Sequence, residues 1–524
     1  MKIKSFKINN FNNKESLIIF SLYILGLIHW YLFLNFKNDS FEFHDWKLFF
    51  GIYLVFDEGF KNFQIPYHAS IFSTDNFYEG NTRYIREGRF FANEWIPFMP
   101  QSILLFFINA KHYLTLQYLL FYSLLFYGLV KISKSLELSI TATIFLIILS
   151  TYNGKLISQT AFGEPHFVFG WMMVPIFYWY IYNFLKKELK KENFLKEIIK
   201  FSLIFFFILS QADMHIYYEI FVVGFLITLF FPKKLFIYLT GFLLSVVTSL
   251  WYVLPVLFYS NKTAEGVNVA EDHWRRYGIN GYGHENGYVG KPIFDGIDFN
   301  SFNLFTNNIT EIFINFYKYL INIFNHIFES LTVKLDAFHY NTHEYNIYVS
   351  IFGLILLFMG ILYSESKNNF IKKNKFKIIF PIFLVFLLSI GPFHKLILKF
   401  LNIFLEFNPI DGVPSRFMIF VLYFFIIVAS LGFDKIFEKF KIKSNFIKYF
   451  SLLVLLLILW LHSYDWWLFN SRSVSVGLWE NVPFDIKIFS NPSDKSYISL
   501  VNFSYIFSLL SIIILFFTYK KLKK

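Results

Sequence analysis

The chain has 524 residues, of which 56% are hydrophobic and only 16% charged, with a mean hydropathy of +0.48. An ordinary soluble domain carries about 25% charged residues, so this composition excludes a water-soluble globular enzyme, and it excludes disorder, which requires low hydrophobicity. The net charge of +12 would suggest nucleic acid as the partner of a soluble protein; in a chain this apolar it asks on which side of a membrane the lysines sit.

A spanning helix needs about 20 mostly apolar residues. In chain order, the runs at 16–35, 112–131, 138–152, 166–184, 199–212, 214–231, 235–259, 345–363, 378–391, 414–433, 449–465 and 498–518 predict an all-α polytopic membrane protein of about twelve spans. Those at 138–152, 199–212 and 378–391 are short. The first run is too long for the apolar core of a signal peptide, and no small-residue cleavage site follows it.

The lysines orient these spans. The N-terminus carries Lys2, Lys4, Lys7 and Lys14, and every even-numbered gap repeats the pattern, from Lys131 and Lys134, through Lys186–Lys200 and Lys233–Lys234, to Lys367–Lys377 and Lys435–Lys448. The C-terminus ends Lys520, Lys521, Lys523, Lys524. Short basic gaps mark the cytoplasmic side, which predicts an integral membrane protein of a bacterial inner or plasma membrane with both termini cytoplasmic. The odd gaps are longer and hold acids, above all 36–97 and 260–344. The absence of cysteine excludes disulfides, thiolate metal sites and cysteine nucleophiles. The excess of Phe, Ile, Lys and Asn reads as AT-rich codon usage, so the aromatic content is not taken as a functional signal.

Asp39, Glu42, His44 and Asp45 close the stretch after the first span, and residues 46–60 then read as a helix lying in the membrane interface. A carboxylate there sits at headgroup depth and is placed to act as a general base on an acceptor hydroxyl; the plainer reading is a solvated acidic loop. Asp57 and Glu58, at the far end of that helix, are secondary candidates. Arg83, Arg86 and Arg89 follow at helical spacing, to bind phosphate or to neutralise nearby acids. Glu164 and His166 stand at the mouth of the fourth span, and Asp213 and His215 between the fifth and sixth. Ionisable groups at membrane depth are costly and face a polar cavity or a partner. Arg416, at the mouth of the tenth span, offers a planar fork for phosphate oxygens, or an ion pair with Asp411. Arg275, Arg276, His273 and His284 lie in the second long loop, without metal-ligand spacing. The glycines of YGINGYGHENGYVG lack the strand-to-helix setting of a phosphate loop.

The order of these features resembles the YfhO-like membrane proteins of the GT-C glycosyltransferase superfamily. An acid after the first span precedes an interfacial helix; FGEPHFVFGWMMVP opens the fourth span; LLSIGPFHKLI and DGVPSRFMIF stand near the tenth. The resemblance covers roughly residues 16–440. It implies a GT-C-like core over 1–440, including external loops 36–97 and 260–344, followed by C-terminal helices over 441–524 with an external loop at 466–497. It further implies transfer of a hexosyl or pentosyl group from a polyprenyl-phosphate donor to a cell-envelope acceptor (glycan, lipid or protein), at the outer membrane face and commonly with inversion. The base at the matching position is Asp45, with His44, Asp39 and Glu42 beside it. Glu164, His166, Asp213, His215, Arg416, Arg275 and Arg276 are the expected substrate-binding set. YDWW at 464–467 is not the WWDYG of the oligosaccharyltransferase branch, and no large C-terminal soluble domain is present, which puts metal dependence and a peptide acceptor in doubt; no metal ligand is assigned, and a divalent cofactor stays an alternative. Partners are the lipid-linked donor and membrane lipids, not nucleic acid. A polysaccharide polymerase or ligase using the 260–344 loop, and a twelve-span transporter or flippase, are the alternatives.

Overall fold

The computed structural model describes residues 13–35, 46–69, 88–89, 91, 100–190, 193–210, 214–259, 317, 321, 324–325, 327–333, 346–365, 369–390, 414–442, 444–470 and 492–523. The chain runs through α1 (Asn13–Asn35), α2 (Trp46–Lys61), a hairpin of β1 (His68–Ala69) and β2 (Gly88–Arg89), and a 3-10 turn at Pro100–Phe106. There follow α3 (Ala110–Leu136), α4 (Ile140–Thr151), α5 (Gly154–Phe162), α6 (Pro165–Lys186), α7 (Phe194–Leu209), α8 (Met214–Thr228), α9 (Pro232–Thr248) and α10 (Leu250–Tyr259). Beyond the second long loop come α11 (Ile351–Leu362), the short α12 (Asn369–Lys373), α13 (Lys375–Leu388), α14 (Met418–Lys439), α15 (Asn445–Asn470) and α16 (Pro492–Lys523).

Helices stand at every stretch where the hydropathy pattern predicts a span. Among the described residues seven are long and apolar enough to cross a membrane, or eight if the bent pair α9–α10 counts as one. The predicted span 138–152 is extended: α4 and α5 together form one stretch, Ile140–Phe162, of 23 residues. The polar YNGK sequence does not end it, because the Asn153 side chain accepts a hydrogen bond from the Leu156 N–H at 3.2 Å and caps the first turn of α5. The Gly154 N–H donates to the Tyr348 carbonyl at 2.9 Å. This stretch is almost wholly buried and forms the centre of the bundle.

Around it, α3 packs along α6, α4 and α1, while α14 packs on α11 and α4. Gly360 and Gly432 let α11 and α14 meet backbone to backbone: a Cβ on Gly432 would lie 2.1 Å from the Gly360 carbonyl oxygen. α15 packs against α5, α4 and α1, and α16 against α10, α7 and α9. The α9–α10 pair bends by 73°. At the bend the Trp251 N–H donates to Ser508 Oγ of α16 at 3.0 Å. α2 packs on the 3-10 turn and α3, with Trp46, Phe49, Tyr53 and Phe56 on its buried side, in keeping with the amphipathic helix expected there.

Candidate functional site

The turn between α5 and α6 organises the site. Gly163 ends α5 in the left-handed region (φ +94°), and its N–H and that of Glu164 both reach back to the Gln159 carbonyl at 3.2 Å. A Cβ at Gly163 would lie 2.2 Å from the Trp46 backbone nitrogen, so glycine is required both by the conformation and by the close seating of α2. Pro165 then fixes the first turn of α6. Glu164 makes no side-chain cap, yet its carboxylate stands at the positive end of the α6 dipole.

Arg416 reaches this carboxylate from the 3-10 turn Pro414–Phe417 at the start of α14, with Nη2 3.9 Å from Glu164 Oε1. Its guanidinium carbon lies 3.9 Å from the centroid of Phe167, a cation–π contact shielded from water, since Arg416 is buried. His166 is also buried, its ring 4.3 Å from Phe49 of α2 and 4.2 Å from Phe167. Glu164, His166 and Arg416, predicted from separate parts of the sequence, are thus brought together, with the first turn of α2 against them. The ion-pair partner of Arg416 is Glu164; Asp411 lies outside the described residues.

One turn along α6 the site continues. Phe167 stacks on Trp171 at 5.8 Å between ring centroids. The Lys155 ammonium of α5 lies 5.0 Å from the Trp171 ring centroid, and the Trp171 Nε1–H donates to Glu219 Oε2 of α8 at 3.4 Å. Lys155 and Glu219 are wholly buried. The α6 face therefore carries two tiers, Glu164 with Arg416 and then Lys155 with Glu219, each flanking one of two stacked rings. The Gln159 side chain, buried on α5 between the two ends of this column, makes no hydrogen bond among the described residues. The sequence reading missed Lys155, Gln159, Trp171 and Glu219. The signal was present: a lysine and a glutamate inside apolar runs, where an unpartnered charge is too costly to keep.

Other candidates fall differently. Asp57 is a structural residue: its Oδ2 accepts from the Ala110 N–H at 3.2 Å at the start of α3, and Oδ1 pairs with Lys61 at 2.8 Å. Glu58 accepts from Asn62 at 2.6 Å. Arg89 is committed to Asp494 and so serves charge neutralisation rather than phosphate. His215 lies in the first turn of α8. Asp39, Glu42, His44, Asp45, Arg83, Arg86, Asp213, His273, Arg275, Arg276 and His284 lie outside the described residues. Among the described residues no group of three or more His, Cys, Asp or Glu is placed to hold a metal ion. No family model, curated protein or solved structure matches this chain.

Proposed function

We propose that the protein is a polytopic membrane glycosyltransferase of GT-C type, which transfers a sugar from a polyprenyl-phosphate donor to a cell-envelope acceptor on the outer face of a bacterial plasma membrane. In this reading the bent pair α9–α10 is an eighth span, and α7, α8, α11 and α13, shorter than the long helices, complete about twelve, with both termini cytoplasmic. The observation that carries it is the seating of α2 on the Gly163–His166 turn. It joins an amphipathic helix, which follows directly on Asp45 in the chain, to a buried arginine and its carboxylate.

The chemistry follows from these roles. Asp45 takes the proton of the acceptor hydroxyl; the oxygen attacks the anomeric carbon from the face opposite the carrier. The bond from that carbon to the phosphate oxygen breaks, and the polyprenyl phosphate leaves with the electron pair. Arg416, oriented by Glu164 and Phe167, balances the charge that grows on the leaving phosphate. The test is transfer from synthetic polyprenyl-phosphate sugars by the purified protein in nanodiscs. Asp45→Asn is expected to lower turnover by about 10²–10⁴-fold and Arg416→Lys to weaken it while the protein still inserts. Full activity in both variants would reject the assignment.

One observation favours a second reading as a transporter. The α9–α10 helix is broken at Ser249, whose buried hydroxyl has no hydrogen-bond partner among the described residues, and discontinuous helices at membrane depth bind substrates in transporters. Movement of a lipid-linked sugar across vesicles without sugar transfer would select that reading.

A further inference from the structure

A second buried charge cluster lies apart from the α6 column and ties the first long loop to the last helix. The β1–β2 register pairs His68 with Arg89, and directly opposed residues project to the same face of a ribbon. Both side chains grip one carboxylate, that of Asp494 in the first turn of α16. His68 Nε2 lies 2.9 Å from Oδ2, while Arg89 Nε and Nη2 lie 3.2 and 3.1 Å from Oδ1. Arg89 Nη2 also donates to Ser493 Oγ at 2.9 Å. The guanidinium lies between aromatic rings, 5.0 Å from Tyr259 at the end of α10 and 5.3 Å from Tyr497. Tyr497 completes the joint: its hydroxyl accepts from the Phe91 N–H at 2.9 Å and donates to the Tyr67 carbonyl at 3.2 Å. Tyr67 in turn donates to Asn502 of α16 at 2.5 Å. His68, Arg89, Asp494 and Tyr497 are all buried.

A hairpin of two-residue strands cannot hold its own place. Here its position is fixed by a helix more than four hundred residues away in the chain. We propose that Asp494 is a positioning residue for the first long loop: through Arg89 and His68 it fixes the chain that leaves α2, and with it the seating of α2 on the α5–α6 turn. The statement about the loop stands on the contacts; its consequence for catalysis rests on the glycosyltransferase reading, in which that loop carries the base. The C-terminal helix, outside the span of the family resemblance, then becomes part of the working site.

The native chain has no cysteine, so single-cysteine labelling is clean. Pro66, buried beside the clasp, is replaced in Pro66→Cys, and Phe63→Cys, at an 86% exposed position, is the control. In full-length protein in nanodiscs, Asp494→Ala is expected to raise maleimide labelling at position 66 by about tenfold without changing it at position 63. The swap of Arg89→Asp with Asp494→Arg is expected to restore protection. Unchanged labelling in Asp494→Ala overturns the proposal; if that variant fails to insert, Asp494→Asn, which keeps the shape and loses the charge, carries the same criterion. Transfer is measured in parallel. A labelling rise with a fall in turnover that the swap restores supports the positioning role, and a labelling rise with unchanged turnover overturns it. No transfer in the parent protein rejects the glycosyltransferase reading alone and leaves the labelling result to decide the clasp.

Discussion

Lys155 and Glu219 set a hard energetic condition. Each is wholly buried in a helix packed in the bundle, and both flank the same indole, one by cation–π contact and one as hydrogen-bond acceptor. A buried charge whose compensating partner is removed costs about 3–5 kcal/mol, whereas removal of both charges is often neutral. Lys155→Met is therefore expected to lower thermal stability strongly and Glu219→Gln to do so less, since it keeps an acceptor for Trp171. The double variant is expected to recover most of the loss. A cycle of melting curves in detergent measures this, and additive losses would show that the two charges do not compensate one another. Glu164, His166 and Arg416 were legible as candidates because they are ionisable groups at the mouths of apolar runs, where they sit in the wet end of a helix or face a polar cavity or partner. Lys155 and Glu219 stood out only as charges inside apolar runs; that both meet Trp171 was not legible, since the contact joins three helices and no local spacing announces it. The structural contact of Asp57 was hidden for a related reason: the N–H from which it accepts belongs to Ala110, in another helix.

At the scale of elements, the joint between α5 and α6 meets the first turn of α2. The apolar pattern predicts α4 well but ends the span at Tyr152. The sequence NGK resembles a loop until Asn153 is seen as a cap that restarts the helix. What the pattern could not show is that the restarted helix ends in a left-handed glycine pressed against another helix. Gly163→Ala imposes the left-handed cost of about 1–2 kcal/mol and sets a methyl group 2.2 Å from Trp46 N. The expected outcome is a protein that folds with lowered stability and with the first turn of α2 displaced, read as loss of amide-exchange protection at Trp46–Phe49. Retained protection there would mean that α2 is held by α3 and the 3-10 turn alone. By contrast, Gly163→Asn, which tolerates the left-handed region better, should keep the turn but still dislodge Trp46. That comparison separates backbone strain from steric contact.

At the scale of the whole molecule, the lysine pattern that orders the spans has a structural counterpart. Acids and lysines of the lysine-rich segments are paired within one segment or bonded to groups of another. Glu197 of α7 takes Lys187 and Lys200 at 2.8 and 3.0 Å, and Lys234 of α9 donates to the Phe184 and Lys187 carbonyls at the end of α6. Asp434 of α14 accepts from Ser139 and Thr141 at the start of α4 and pairs with Lys448 of α15 at 3.1 Å; Lys435 meets Glu365 beyond α11. Segments that alternate along the chain thus meet at shared ends, as an up-and-down bundle demands. The clasp of His68, Arg89 and Asp494 joins segments from the opposite set. These contacts accord with alternating helices, and the positive-inside rule proposes the lysine-rich ends as the cytoplasmic ones. Because the chain is free of cysteine, the assignment can be tested position by position. A membrane-impermeant maleimide applied to intact cells is expected to label Phe63→Cys, before the hairpin, and to leave Lys14→Cys and Lys441→Cys unmodified until the membrane is opened. Labelling of Lys441→Cys in intact cells would invert the bundle. That would put the Glu164–Arg416 site on the cytoplasmic face, out of reach of a donor presented outside, and the glycosyltransferase reading would fail with it.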